Sequence, residues 1–86
     1  MYGIEFSRSA DKELNRLPVL VVQRVMSAIE GLAYKPRPSG VKKMHGFQSV
    51  YRIRVGDYRV IYEIKDGFFV VLILEIGHRK HVYRGF

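Results

Sequence analysis

Three arginines spaced to meet on one surface have the clearest chemical use of any residues in this chain. The string Tyr51-Arg52-Ile53-Arg54-Val55-Gly56-Asp57-Tyr58-Arg59-Val60-Ile61-Tyr62 alternates apolar and charged residues around Gly-Asp. That is a hairpin pattern rather than a helical one. With Gly56-Asp57 as a two-residue loop, Val55 faces Tyr58 and Arg54 faces Arg59. Arg52, two residues from Arg54, points to the same side. Like charges directly opposite each other cost a ladder roughly 0.2–1 kcal/mol. A hairpin that carries three of them predicts an anion between them.

A second basic segment follows: Gly77-His78-Arg79-Lys80-His81-Val82-Tyr83-Arg84. If it folds back near Arg59, the two segments make a concave basic site with Tyr83 at its rim. Guanidinium forks grip phosphate oxygens in fixed geometry, and an aromatic ring can stack on an unpaired base. RNA can be cut there without a metal if its own 2′-hydroxyl attacks the phosphate. The protein then supplies alignment, a proton acceptor, a proton donor and charge stabilisation. The plainer readings are a solvated face paired with Asp57, Glu63 or Glu75, and a Tyr83 that packs on a sheet edge.

Charge segregation bears on the choice. Residues 1–33 hold four basic and four acidic side chains, whereas residues 34–86 hold eleven basic and four acidic ones. The whole net charge of +7 sits with the arginine hairpin. A solubility charge would be scattered, so this distribution predicts a nucleic acid, an acidic protein, or both as partners. His45, His78 and His81 do not make a metal site: no acidic or thiol ligand is near, and Arg79 and Lys80 repel a cation. No glycine-rich phosphate loop, Gly-x-Ser-x-Gly motif or paired carboxylate cleft is present. No cofactor is implied.

These groups need a scaffold, and 86 residues at 48% hydrophobic content suffice for one domain, residues 1–86, with one core. The absence of cysteine excludes a disulfide frame. No basic-then-apolar leader opens the chain, and the longest apolar run, residues 68–74, is too short for a bilayer. The expectation is a cytoplasmic protein with no membrane partner.

Residues 2–6 alternate as a short strand. Ser7 or Ser9 can cap a helix with Asp11 and Glu13 in its first turn, and Ala10, Leu14 and Leu17 recur at helical spacing. Pro18 breaks that segment and suits the first position of a second helix. That helix carries the stripe Val22, Val25, Met26, Ile29, Leu32 and Ala33. Pro36-Arg37-Pro38-Ser39-Gly40 ends it, and the period then switches to two. Residues 41–44 are a brief strand, Val50–Val55 and Tyr58–Lys65 the hairpin, and Asp66-Gly67 a second tight turn into a strand over residues 68–76. That last strand is apolar on both faces and belongs inside the sheet. Tyr51, Ile53, Val55, Tyr58, Val60, Tyr62 and Ile64 form the core face. The predicted fold is α+β, an antiparallel meander of three to four strands with an N-terminal αα-hairpin on one face.

In this order of elements, and in Lys42-Lys43-Met44-His45-Gly46, the hairpin string and the closing Gly-His-Arg-x-x-x-Tyr-Arg, the chain resembles the RelE/ParE toxin superfamily. Within it the likeness is to the RelE-like messenger-RNA interferases. The resemblance implies a toxin of a type II toxin–antitoxin system. Such a toxin enters the ribosomal A site, cleaves mRNA there, and is held inactive by a cognate antitoxin, here expected to be acidic or amphipathic. Its partners would be mRNA and the ribosome's RNA, with operator DNA reached only through the antitoxin. The antitoxin would lie on the basic, partly apolar surface, or along the helices at Val19 and Val21.

On the family pattern, Arg59 and Arg79 match phosphate-gripping arginines and Tyr83 matches a base-stacking tyrosine. Arg52 and Arg54 stand where RelE-type enzymes carry lysines, one of them the general base. Arginine, with a pKa of roughly 12.5–13.8, is a poor proton acceptor. His78, His81 and Lys43 are the other candidates, or no side chain acts as base. Lys42, Lys43, His78, Lys80 and Arg84 complete the expected RNA-binding set. A ParE-like inhibitor of DNA gyrase and a non-catalytic nucleic-acid-binding module are the alternatives.

Overall fold

The computed structural model describes residues 1–78. Along the chain run β1 (Gly3–Phe6), α1 (Arg8–Leu14), α2 (Val19–Leu32), β2 (Lys42–Lys43), β3 (Val50–Val55), β4 (Tyr58–Lys65), a 3-10 turn (Asp66–Phe68) and β5 (Val70–His78). The β3–β4 hairpin has the register read from the sequence, with Val55 opposite Tyr58 and Arg54 opposite Arg59. Gly56 has a φ of 60°, as the first central residue of a II′ turn requires, and a Cβ there would be strained.

Ser7 caps α1, its Oγ accepting the Ala10 N–H at 3.0 Å, which satisfies one of the donors a helix start leaves open. Pro18 sits at the N-cap of α2, one position before the one expected, where its lack of an N–H costs nothing. Ala10, Val25, Ile29 and Leu32 from the helices meet Ile53, Val60, Tyr62, Ile64, Val71, Ile73 and Ile76 from the sheet. Both helices therefore cover the same sheet face. Each fully buried aliphatic side chain in this layer contributes roughly 1.5–3 kcal/mol.

The sheet is larger than the expected meander. It has five strands in the order β1-β5-β4-β3-β2, and it is mixed because β1 runs parallel to β5. Without β1, the edge of β5 would present bare backbone donors and acceptors. The connection into β5 also differs. Lys65 pairs with Val70, so residues 66–69 form a four-residue link rather than a two-residue turn, with Phe69 left-handed at φ 53°. Moving the register by two residues preserves side-chain parity, and Val71 and Ile73 still face the helices. Beyond them a bulge places Ile61 opposite Glu75 and Tyr62 opposite Ile73. The extra residue, Leu74, lets Ile73 and Ile76 both reach the core although they are three apart.

At the end of the sheet remote from Gly56, an ion-paired clasp joins four segments of the chain. Arg37 Nη2 donates to Asp66 at 2.9 Å, the Tyr2 hydroxyl donates to the same carboxylate, and Arg37 Nε donates to the Tyr51 hydroxyl at 3.2 Å. The Arg37 guanidinium lies 5.3 Å from the Tyr51 ring centroid. The bond from Arg37, then the one from Tyr2, holds the Asp66 carboxyl below the usual carboxylate range. A depressed carboxylate stabilises the fold above its unfolded pKa, roughly 3.9, and the contribution is lost as pH falls through its lower folded value. Asp66→Asn is expected to flatten that part of the melting-temperature profile between pH 6 and 2. Parallel profiles for variant and parent would show that the clasp is energetically idle.

Candidate functional site

Side chains alternate across a strand, so the register decides which charges meet. Lys42 lies opposite Arg52, and Arg54 opposite Arg59, all on the face without helices. Together with Gly40 and Ile53 they line a cleft of about 240 Å³. Its neighbour on the same face is a small apolar cluster: buried Val50 and Ile61 with Met44 and Leu74 packed against them. Charges beside such a dry floor act across less water than on an open surface, so their pull on an anion is stronger.

The arginines are not equivalent. Arg52 and Arg59 are half-buried, and Arg59 Nη1 is fully covered by protein. A guanidinium held by packing is aimed in advance, which makes Arg59 the best placed of the three to hold a phosphate oxygen. Arg54 is exposed, and its Nε donates to the Gly56 carbonyl at 2.8 Å, which draws the head towards the turn. A guanidinium offers N–H donors and no acceptor, so these arginines can stabilise negative charge but do not supply a proton acceptor.

Two expected members fall elsewhere. Lys43 pairs with Tyr51, whose ring is on the helix side, so it points away from Lys42 and the cleft. His78 lies opposite Tyr58, their rings 5.7 Å apart edge to face, also on the helix side. The period of two that separates Lys42 from Lys43 was available in the sequence. Arg79, Lys80, His81, Tyr83 and Arg84 lie outside the described residues. The last described pairings, Arg59 with Gly77 and Tyr58 with His78, bring the C-terminal end of β5 beside Arg59.

Sequence reasoning missed Gly40, which closes the cleft, and Arg24, which enters a second depression of about 340 Å³ on the other side of the hairpin tip. Nothing local marks either, since both act through contacts with a distant segment. Val19 is exposed as expected, but Val21 packs against the core. Among the described residues no group of three or more His, Cys, Asp or Glu side chains could hold a metal ion, and no helix is long and apolar enough to cross a membrane.

Residues 4–83 match the family described as the ParE toxin of type II toxin–antitoxin systems, parDE. Two curated relatives come from Mycobacterium tuberculosis. Toxin RelG is 30% identical over 84 residues, covering 96% of this chain and 97% of the relative. Toxin RelE is 31% identical over 84 residues, covering 96% and 87%. Among solved structures, the archaeal RelE–RelB complex from Pyrococcus horikoshii superposes with a TM-score of 0.81 at 31% identity, over 94% of this chain and 98% of its counterpart. The intact RelBE toxin–antitoxin complex of E. coli gives 0.82 at 25% identity, over 91% and 96%. A family match over nearly the whole chain, relatives of matching length and the shared fold agree: the protein belongs to the RelE/ParE superfamily of toxins from type II toxin–antitoxin systems.

Proposed function

We propose that this toxin is an endoribonuclease that cleaves mRNA in the ribosomal A site. The observation that carries this reading is the cleft where Lys42, Arg52, Arg54 and Arg59 converge on the helix-free face. An RNA phosphate seated there is gripped by Arg59 and Arg52, with Arg79 supplied by the segment after β5 and Tyr83 stacking on a neighbouring base. The 2′-oxygen attacks phosphorus, the P–O5′ bond breaks, and the products are a 2′,3′-cyclic phosphate and a free 5′-hydroxyl. The proton leaves the 2′-hydroxyl for an acceptor, and a proton reaches the departing 5′-oxygen. Because the nucleophile belongs to the substrate, the step needs no metal-bound water, and the arginines act on the charge that builds on the phosphate.

The ring of His78 packs against Tyr58, across the sheet from the cleft, which argues against His78 as the acceptor. His78→Gln is accordingly expected to keep its cleavage rate and show no altered pH profile. Loss of cleavage in a variant with unchanged melting temperature would return His78 to the site. Of the readings drawn from the sequence, those that remain are His81, on the segment after β5, and a reaction in which no side chain acts as base.

A cognate antitoxin of acidic or amphipathic character holds the toxin inactive, by analogy with the RelE–RelB complexes. The ParE description of the family match favours a second reading, inhibition of DNA gyrase. Induction of the chain without a partner is expected to stop growth through translation. Primer extension then maps cuts within codons of translated mRNA. Growth arrest with intact mRNA and DNA broken at gyrase sites would establish the second reading, and unaffected growth with folded toxin present would remove both.

A further inference from the structure

We propose that Glu75 is the proton acceptor for the attacking 2′-hydroxyl, brought to the cleft's face by the bulge in β5. Side chains alternate along a strand, so with Ile73 in the core an unbroken β5 would turn Leu74 outward and Glu75 back under the helices. The bulge resets that parity. Glu75 comes opposite Ile61, and Ile61 lies opposite Arg52, so the carboxylate shares the helix-free face with the arginines. Bulges recur beside active sites because they re-aim a side chain without ending the strand.

Arg59 lies opposite Gly77, two residues from Glu75. Diagonal neighbours of this kind are roughly 7–8 Å apart across a strand pair, within the joint reach of two long side chains. In the proposed pose a phosphate gripped by Arg59 presents the adjoining 2′-hydroxyl to Glu75. The Ser9 hydroxyl donates to Glu75 Oε1 at 2.9 Å, which steadies the carboxylate from α1 and leaves Oε2 to take the proton. Among the described residues Glu75 has no ion-pair partner, and the pairs Arg16–Glu13 and Arg37–Asp66 lie elsewhere. It is not a counter-ion of the arginine cluster. Glu63 shares the face but stands opposite Val50, four residues from Arg59 along β4 and so roughly 13 Å away.

A carboxylate does what a guanidinium cannot, since in its ionised form it is an acceptor only. The 2′-hydroxyl proton passes to Oε2 as the O2′–P bond forms. The P–O5′ electron pair leaves with the 5′-oxygen, which takes a proton from solvent. The carboxylic acid then releases its proton to water, and the site is restored. The role rests on the reading of the cleft as an RNA site.

The test measures single-turnover cleavage of mRNA on programmed ribosomes from pH 6 to 8, with toxin binding to the same ribosomes followed separately. Glu75→Gln keeps the size and the Ser9 contact but accepts no proton. It is expected to slow cleavage on the order of 10²–10⁴-fold, with binding and melting temperature unchanged. Glu75→Asp returns a carboxylate one methylene short and should recover part of the rate. The parent rate should not rise with pH over this range, whereas the glutamine variant should gain about tenfold per pH unit as hydroxide takes over as base. Glu63→Gln removes an equal charge from the same face and should cleave as the parent does. A parental rate in Glu75→Gln, an equal loss in Glu63→Gln, or a drop matched by weaker ribosome binding would overturn the proposal and leave the cleft reading standing. A parent that cleaves no RNA would overturn both.

Discussion

Arg59→Ala is expected to lower the rate of mRNA cleavage on programmed ribosomes on the order of 10²–10³-fold, the usual cost of removing one donor from a developing charge. The residue stands opposite Arg54, with one guanidinium nitrogen fully covered by the protein, so its head is positioned before substrate arrives. Alanine removes charge and fork together. Lysine restores the charge alone and should recover only part of the loss, because it cannot hold two phosphate oxygens in one plane. Arg79→Ala should match the alanine variant, and growing cells should tolerate both. Single-turnover rates, with melting curves to show that each variant folds, check the expectation. If both alanine variants remain as toxic as the parent, the catalytic assignment of this cleft is wrong.

The second large effect is on stability. Tyr62 is completely buried, its ring stacks on Tyr51 at 6.1 Å between centroids, and its hydroxyl donates to the Pro36 carbonyl at 2.7 Å. One residue thus joins the centre of the sheet to the loop that follows α2. Tyr62→Ala is expected to cost about 3–5 kcal/mol, the range for large aromatic truncations. A domain of this size has only roughly 4–13 kcal/mol in all, at about 0.05–0.15 kcal/mol per residue. Tyr62→Phe keeps the ring but strands the Pro36 carbonyl, for about 1–3 kcal/mol. Urea midpoints measure both, and a Phe variant as stable as the parent would show that water replaces the lost donor.

The same burial raises the Tyr62 hydroxyl well above the usual tyrosine range, with the nearby Tyr51 adding to it. The native state therefore favours the protonated form. That contribution is complete below the unfolded pKa, about 10, and is lost as pH rises through the folded value. Tyr62→Phe should remove the alkaline limb of the stability profile.

The hairpin was legible because a Gly-Asp turn and strict alternation fix register and face together, from Tyr51 through Tyr62. The pairing of β1 with β5 was not, because four residues without a turn to their partner do not announce their neighbour. Asp66-Gly67 looks like a tight turn, yet Phe69 takes a left-handed conformation that its own propensity disfavours by roughly 1–2 kcal/mol, and the link lengthens to four residues. The bulge at Leu74 was equally hidden, since the strand is apolar on both faces and gives no parity signal. In the site, the three arginines were readable from spacing. The separation of Lys43 and His78 from them follows from the same alternation, once the cross-strand partners are known.

The parallel pairing of β1 with β5 has a kinetic consequence. Ser7 and Leu74, 67 positions apart, are already in hydrogen-bonded contact at this junction. The strand made first must wait, unpaired, for a partner made much later, while translation proceeds at about 5–20 residues per second. Loop closure over such a span comes late and slowly compared with the local hairpin. The hairpin can close as soon as its two neighbouring strands are free, whereas β1 has no partner until β5 is available. The interval of several seconds is one in which a toxin under synthesis is still incompletely folded, and a partner already present can meet it before it is whole.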